Sequence, residues 1–158
     1  MILIFLITLF IFITIVCITY SYKNKSECNG KGVNDIFIDH CLYVKQSPKG
    51  GYGVYTSKFI PSGKTIEVAR TLLISNRERR HLKDMLRYDY NLDDKTTCVA
   101  LGYGSLYNHD SDNNVEYSNT FGDDNLMIYT TVKDVEPHRE LCVNYGDDYF
   151  TSNNIVPL

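Results

Sequence analysis

Three short stretches carry residue types that could do chemistry. The first is GGYGVYT, Gly50 to Thr56, in which Gly51 and Gly53 flank Tyr52. Glycine at such spacing serves a turn with positive φ or a close approach of backbone to a ligand. It is not a dinucleotide-binding fingerprint, because no third glycine follows at the required spacing and no helix comes after it. The second is NHDSDNN, Asn108 to Asn114, where Asn108 and His109 precede a run of small polar residues. Alone it reads as a polar turn whose Asn and Asp side chains cap their own backbone. The third is ELCVNYGDDYF, Glu140 to Phe150, with Tyr145 placed just before Gly146. Alone it reads as a strand that ends at the glycine. The puzzle is the second stretch, since TTCVAL before it reads as a buried strand while its own small polar residues pack poorly.

The elements that must position these residues are mostly short strands. IFIDHCLYVKQS (36–47) alternates as one strand or two, GVYTSKFI (53–60) is a strand closed by the turn PSGK, and TIEVARTLLI (65–74) is another. Ser75 followed by Glu78 is a capping box, and Leu82, Met85 and Leu86 lie at helical spacing, so 75–86 is expected to be a short amphipathic helix. TTCVALG returns to strand, VEYSNTFGDDNLMIYTTV (115–132) reads as a hairpin about Gly122, Asp123 and Asp124, and RELCVNYGDDYF is a last strand leading into an acidic, aromatic tail. The expected fold class is mainly β, a single domain with one helical insert.

Bulk properties frame that domain. A chain of 158 residues is normally one compact unit with room for an appendage. Met1 to Thr19 is free of charge, and at ~1.5 Å per residue such a helix nearly covers the roughly 30 Å of a bilayer core. Residues 1–22 are therefore expected to be a transmembrane anchor, 23–32 a linker, 33–150 the folded domain and 151–158 a tail. No basic segment precedes the apolar run and no small-x-small cleavage pattern follows it, which disfavours a cleaved signal. Lys23, Lys25 and Lys31 follow the anchor, so the positive-inside bias puts the domain in the cytosol or nucleus as a single-pass membrane protein. Setting aside these three lysines and Glu27 leaves 13 basic against 18 acidic residues, a net −5, which argues against direct nucleic-acid binding and suits a basic peptide. Cys28, Cys41, Cys98 and Cys142 form no CxxC group, so neither a metal site nor a disulfide framework is indicated, and all four read as free thiols. A lumenal domain, by contrast, would bridge Cys28 and Cys41 and carry a glycan on Asn24.

Taken together and in this order, Gly-x-Gly, Asn-His with Asn114, and Glu-Leu-x-x-x-Tyr-Gly resemble the signature motifs of the SET-domain protein lysine methyltransferases. SPKGGYGVY, ALGYGSLYNH and YGDDYF look most like the minimal SET proteins of large algal DNA viruses. The resemblance covers about residues 36 to 150. It implies a β-clip fold of small sheets, in which the Asn-His segment and the tyrosine segment of the last strand cross as a pseudoknot. A chain passed through a loop has little room for side chains and many backbone groups to satisfy, which explains the glycines and small polar residues.

The implied reaction is methyl transfer from S-adenosylmethionine to a lysine amine. Gly51, Tyr52, Gly53, Asn108, His109, Tyr145 and Tyr149 would hold the cofactor. Tyr88, Tyr90, Tyr107 and Phe150 would line the substrate channel, with the choice between Tyr88 and Tyr90 left open. Tyr145 is the expected catalytic residue, its hydroxyl aligning amine and methyl. It is not expected to act as a base, because an unperturbed tyrosine is neutral near pH 7. A lysine titrates near 10.4 in water, and desolvation in an aromatic channel lowers that value. The resemblance implies a histone H3 tail as substrate, no metal, and a homodimer.

Two positions depart from the family pattern. Asn144 stands where many relatives have Asp, and His138-Arg139-Glu140 replaces the usual Gly-Glu turn, which puts a histidine where a positive φ is required. These departures motivate a second reading, ranked behind the enzyme: a catalytically inactive SET fold serving as a membrane-tethered peptide-binding module.

Overall fold

The computed structural model describes residues 13–14, 36–82, 88–93, 95–120, 125–146 and 149–150. All but two residues of the expected anchor, the linker, the tail, the later part of the expected helix and the hairpin tip lie outside these. Among the described residues no helix is long and apolar enough to cross a membrane.

The fold is mainly β, as the patterning predicts. In chain order the strands are β1 (Phe37–Ile38), β2 (Leu42–Gln46), β3 (Tyr52–Thr56), β4 (Thr65–Ser75), β5 (Asp89–Asn91), β6 (Thr96–Ala100), β7 (Asn108–His109), β8 (Val115–Thr120), β9 (Leu126–Thr131) and β10 (Glu140–Val143). A one-turn helix α1 (Asn76–Arg79) follows β4, and a 3-10 turn, Gly104–Leu106, lies between β6 and β7. One sheet runs β5-β6-β4-β9-β8 with β1 also paired to β4, and the other runs β2-β3-β10-β7.

The long strand β4 organises the first sheet. Its early part pairs with β1 and β9 and its later part with β6, so Ile66, Val68 and Ala69 are buried while Leu72 and Leu73 stay about half exposed. Both sheets feed one core: Leu42, Val54, Leu141 and Val143 from the second meet Ile66, Cys98, Met127 and Tyr129 from the first. Burying side chains of this size supplies most of the drive to fold.

Local chemistry explains where elements stop. Ser75 caps α1, accepting from Glu78 N–H at 3.3 Å while the Glu78 carboxylate takes the Ser75 N–H at 3.2 Å, which is the capping box read from the sequence. The helix itself ends at Arg79, shorter within the described residues than its spacing suggested. Arg79 Nε reaches Asp89 at 2.5 Å and so ties α1 to β5, a strand that the sequence reading did not assign. Strand β3 stops at Thr56 because the Thr56 hydroxyl bonds Lys58 O at 2.6 Å and takes Lys58 N–H at 3.1 Å, turning the chain locally.

Two further expectations meet the structure here. His138 does adopt a positive φ of 66°, with its N–H on Thr56 O at 2.7 Å and its ring 3.3 Å from the Tyr43 hydroxyl, so the altered turn is built and held. Cys41, expected as a free thiol, is disulfide-bonded. Cys98 and Cys142 are free and buried, and burial pushes their thiols up to about 11 and about 12, which leaves them unreactive near neutral pH.

Candidate active site

The second sheet assembles all three motifs. Strand β3 begins at Tyr52 within Gly-x-Gly, and antiparallel pairing sets Tyr55 opposite Glu140 and Val54 opposite Leu141. On its other side β10 pairs in parallel with β7, Cys142 beside Asn108 and Val143 beside His109. Residues more than thirty positions apart thus become neighbours across one strand.

The segment after β7 then wraps the same strand. Asn114 donates from Nδ2 to Glu140 O at 2.8 Å and accepts Cys142 N–H on Oδ1 at 2.9 Å, while Asp110 N–H reaches Val143 O at 3.1 Å. The Asn114 side-chain amide copies a strand edge, so β10 finds partners where no neighbouring strand continues. Asp110 and Asn113 do cap their own turn, Asp110 Oδ1 accepting Asp112 N–H and Asn113 Nδ2 donating to Val115 O at 2.9 Å each, while the Asn114 side chain satisfies the strand it encloses.

Glu140 joins the motifs through its side chain. Asn108 Nδ2 donates to Oε1 at 2.8 Å, and the hydroxyls of Ser47 and Tyr55 donate to Oε2 at 2.9 Å each. Asn108 also reaches Tyr52 O at 3.3 Å. This cluster accounts for Gly53: a Cβ there would sit 2.1 Å from Glu140 Oε1 and 2.9 Å from Asn108 Nδ2. The sequence reading assigned that glycine to cofactor approach, whereas the neighbour that requires it is a carboxylate of the chain itself. Lys49 bonds Asp110 at 2.9 Å and ties the turn before Gly51 to the one after His109.

Tyr145 lies two residues past the end of β10 rather than within it. Its N–H donates to His109 Nδ1 at 3.1 Å, which leaves Nε2 as the protonated nitrogen of a neutral ring. Its hydroxyl donates to Tyr107 O at 2.7 Å. Burial, with Tyr149 close by, pushes that hydroxyl well above the ordinary tyrosine value, so it stays protonated and acts as a donor near neutral pH. Around it, the Tyr149 ring is 4.6 Å from Tyr145, and the Phe150 ring is 4.7 Å from His109 and 6.3 Å from Tyr145.

The expected channel residues divide. Tyr107 is a correction: it is 1% exposed, stacks on Tyr129 at 4.8 Å and donates its hydroxyl to Glu67 at 2.9 Å, so its ring belongs to the core and only its carbonyl faces Tyr145. Tyr90 is held inward, donating to Gly104 O at 2.5 Å and accepting from the Tyr129 hydroxyl at 3.1 Å. Tyr88 is 48% exposed and interacts electrostatically with Tyr145, as Tyr90 also does. Glu67, which sequence reading passed over, supports the segment before Asn108. The signal was available as a carboxylate inside the apolar run TIEVARTLL.

A sulfonium cation is held by aromatic faces and carbonyl oxygens rather than by counter-charges. Tyr145, Tyr149, Phe150 and His109 form such a ring cluster, Tyr52 is 59% exposed beside Asn108, and a Cβ on Gly51 would meet nothing within 4 Å. The residues present fit S-adenosylmethionine.

The family model of the SET domain matches residues 51–146, and the chain belongs to the SET-domain family of protein lysine methyltransferases. It is 31% identical over 109 residues to the Schizosaccharomyces pombe histone-lysine N-methyltransferase described as H3 lysine-37 specific, a match spanning 67% of this chain and 74% of that one. It is 33% identical over 102 residues to the Aspergillus terreus histone-lysine N-methyltransferase set9, covering 61% of this chain but 16% of the longer relative. Among solved structures, a candidate histone methyltransferase of Plasmodium falciparum superposes with a TM-score of 0.59 at 28% identity, over 67% of this chain and 93% of that one. These relatives are fungal and Plasmodium proteins, whereas the motifs had pointed toward viral ones.

Proposed function

We propose that this chain transfers a methyl group from S-adenosylmethionine to a lysine amine of a basic peptide, with a histone H3 tail as the substrate class. The observation that carries the reading is the convergence of Gly-x-Gly and Asn-His on the two flanks of β10 with Tyr145 just past its end, its protonated hydroxyl among aromatic rings.

When bound, S-adenosylmethionine supplies an electrophilic methyl group. Tyr52, Asn108, His109, Tyr145 and Tyr149 would hold it. The chain's own part is positioning and exclusion of water: the aromatic cluster desolvates the lysine amine, which favours its neutral form. The Tyr145 hydroxyl, its own proton held by Tyr107 O, accepts an N–H of the neutral amine and so leaves the lone pair free along the line of attack. An acidic domain of net −5 beyond the first 32 residues attracts basic tails, and a homodimer is consistent with the resemblance. Residues 1–22 supply a membrane anchor in this reading, with the domain facing cytosol or nucleus; the redox state of Cys41 in cells tests the facing, since disulfides persist in oxidising compartments.

Label transfer from S-adenosylmethionine to core histones and to a cell lysate, together with calorimetric titration of the cofactor, tests the activity. Histone labelling by the full chain supports the whole reading. Labelling of lysate proteins alone keeps the enzyme and redirects the substrate. A folded chain that neither binds the cofactor nor labels anything is the inactive peptide-binding module instead.

A further inference from the structure

Glu67 is 0% exposed in the middle of an apolar strand, set between Ile66 and Val68 and paired across to Ile38 on β1 and Tyr129 on β9. A charge-bearing group in such a place persists only when its hydrogen bonds are made. Glu67 Oε1 accepts Tyr103 N–H at 2.8 Å and Gly104 N–H at 3.2 Å, and Oε2 accepts the Tyr107 hydroxyl at 2.9 Å. The carboxyl therefore grips both ends of the segment that precedes Asn108. The sequence of that segment is shaped to it, since a Cβ on Gly102, at φ +94°, would stand 2.6 Å from Glu67 Oε1. A Cβ on Gly104 would stand 2.5 Å from the Tyr129 hydroxyl. The far end of the same segment presents the Tyr107 carbonyl that takes the Tyr145 hydroxyl at 2.7 Å.

Building on the methyltransferase reading, we propose that Glu67 is the positioning residue for Tyr145: through the segment 103–107 it sets the Tyr107 carbonyl, and that carbonyl sets the direction of the Tyr145 hydroxyl. The link is short, Glu67 carboxyl to Tyr107 side chain and Tyr107 carbonyl to Tyr145, and every step is a hydrogen bond or a covalent bond within one residue. It is also titratable. Burial pushes the Glu67 carboxyl up to about 7, while the bonds from Tyr107, Tyr103 and Gly104 pull it down. The titratable groups that face it are phenols: Tyr103 and Tyr107 from the gripped segment, Tyr129 from β9 and Tyr90 from β5. Burial raises Tyr90, Tyr107 and Tyr129 above the ordinary phenol value and keeps them protonated across the neutral range, so a change near pH 7 is the carboxyl's own. Protonated Glu67 is a weaker acceptor for two backbone N–H groups and one hydroxyl, and the loosened segment shifts the carbonyl under Tyr145.

The test is NMR of the full chain labelled with 13C at the tyrosine ζ carbon, whose shift follows the hydrogen bonding of the hydroxyl. The Tyr145 resonance is identified by its absence in Tyr145→Phe. It is expected to move with a midpoint near about 7 and to lose that titration in Glu67→Gln. The same variant is expected to lower kcat on a histone H3 tail peptide about tenfold to a hundredfold, with KM changed less than about twofold. A Tyr145 resonance that is flat across this range in the unaltered chain overturns the proposal. Should Glu67→Gln fail to fold, the unaltered chain still decides, and Tyr107→Phe, which removes one bond to Glu67 and keeps the ring, must shift the resonance and its midpoint. An active chain with a flat Tyr145 sinks the positioning role alone, whereas a titrating Tyr145 in a chain without transferase activity supports the link and sinks the methyltransferase reading.

Discussion

Two glutamates hold this site together, and their surroundings differ. Glu140 sits half-buried at the junction of the three motifs and takes its bonds from the side chains of Asn108, Ser47 and Tyr55. Glu67 lies wholly inside and takes two of its three bonds from backbone N–H groups. A side-chain donor released at a half-exposed position can turn to water. A backbone donor released in the core cannot, and it carries the full cost of an unmade bond. The outer carboxylate therefore connects motifs that water can in part accommodate, while the inner one fixes the path of the chain.

This contrast is most exposed by deletion. Glu67→Ala strands two backbone donors and a buried hydroxyl, at about 1–3 kcal/mol for each unsatisfied group, so a loss of at least about 3 kcal/mol is expected. Glu140→Ala is expected to cost about 1–2 kcal/mol, because two of its donors, Ser47 and Asn108, are half-buried and can turn to water, and only the Tyr55 hydroxyl is left on a buried ring. Urea unfolding of both variants checks the pair, and equal losses would break the contrast.

The Glu67 carboxyl is raised in the folded chain from the ordinary 4.5 to about 7, so between those values the folded state holds a proton that the unfolded state has released. Its contribution is complete below about 4.5 and declines as pH rises, until it is gone above about 7. Urea midpoints at a series of pH values should fall across that window, with a slope of no more than about 1.4 kcal/mol per pH unit. Glu67→Gln should flatten the slope, and a Glu140 variant should leave it in place.

Smaller effects sharpen the outer half of the comparison. Gly53→Ala drives a methyl into the Glu140 carboxylate and is expected to cost about 1–3 kcal/mol. In the Glu140→Ala background the same change should cost much less, and strict additivity would show that the carboxylate is not what demands the glycine. Lys49→Ala removes a pair whose side chains are both 36% exposed, so less than about 1 kcal/mol should be lost, and less still at high salt.

Much of this architecture is legible in the residues. Alternation locates most strands, the Ser75–Glu78 box locates the helix start, and the turn pattern at position 138 marks the histidine as bearing a positive φ. The three motifs stand out in the chain, and the structure does bring them to one strand. Other features depend on distance in the fold. Strand β5 escapes sequence reading because DYN is too short to show a period and is set by its partner β6. Tyr107 is expected in the channel because a tyrosine beside Asn-His looks available, yet its ring turns inward to a carboxylate forty positions earlier. Gly53 can be recognised as necessary, but not that Glu140 is what makes it so. In each case the deciding partner is remote in sequence, and local pattern carries no trace of it.

The central claim is that Tyr145 directs methyl transfer to a lysine. The measurement that addresses it is mass spectrometry of a histone H3 tail peptide incubated with S-adenosylmethionine and the full chain, beside a folded Tyr145→Phe variant. The account predicts methyl groups added to lysine by the unaltered chain, and either their loss or a changed number per lysine in the variant. A variant that adds the same number of methyl groups at the same rate would contradict it.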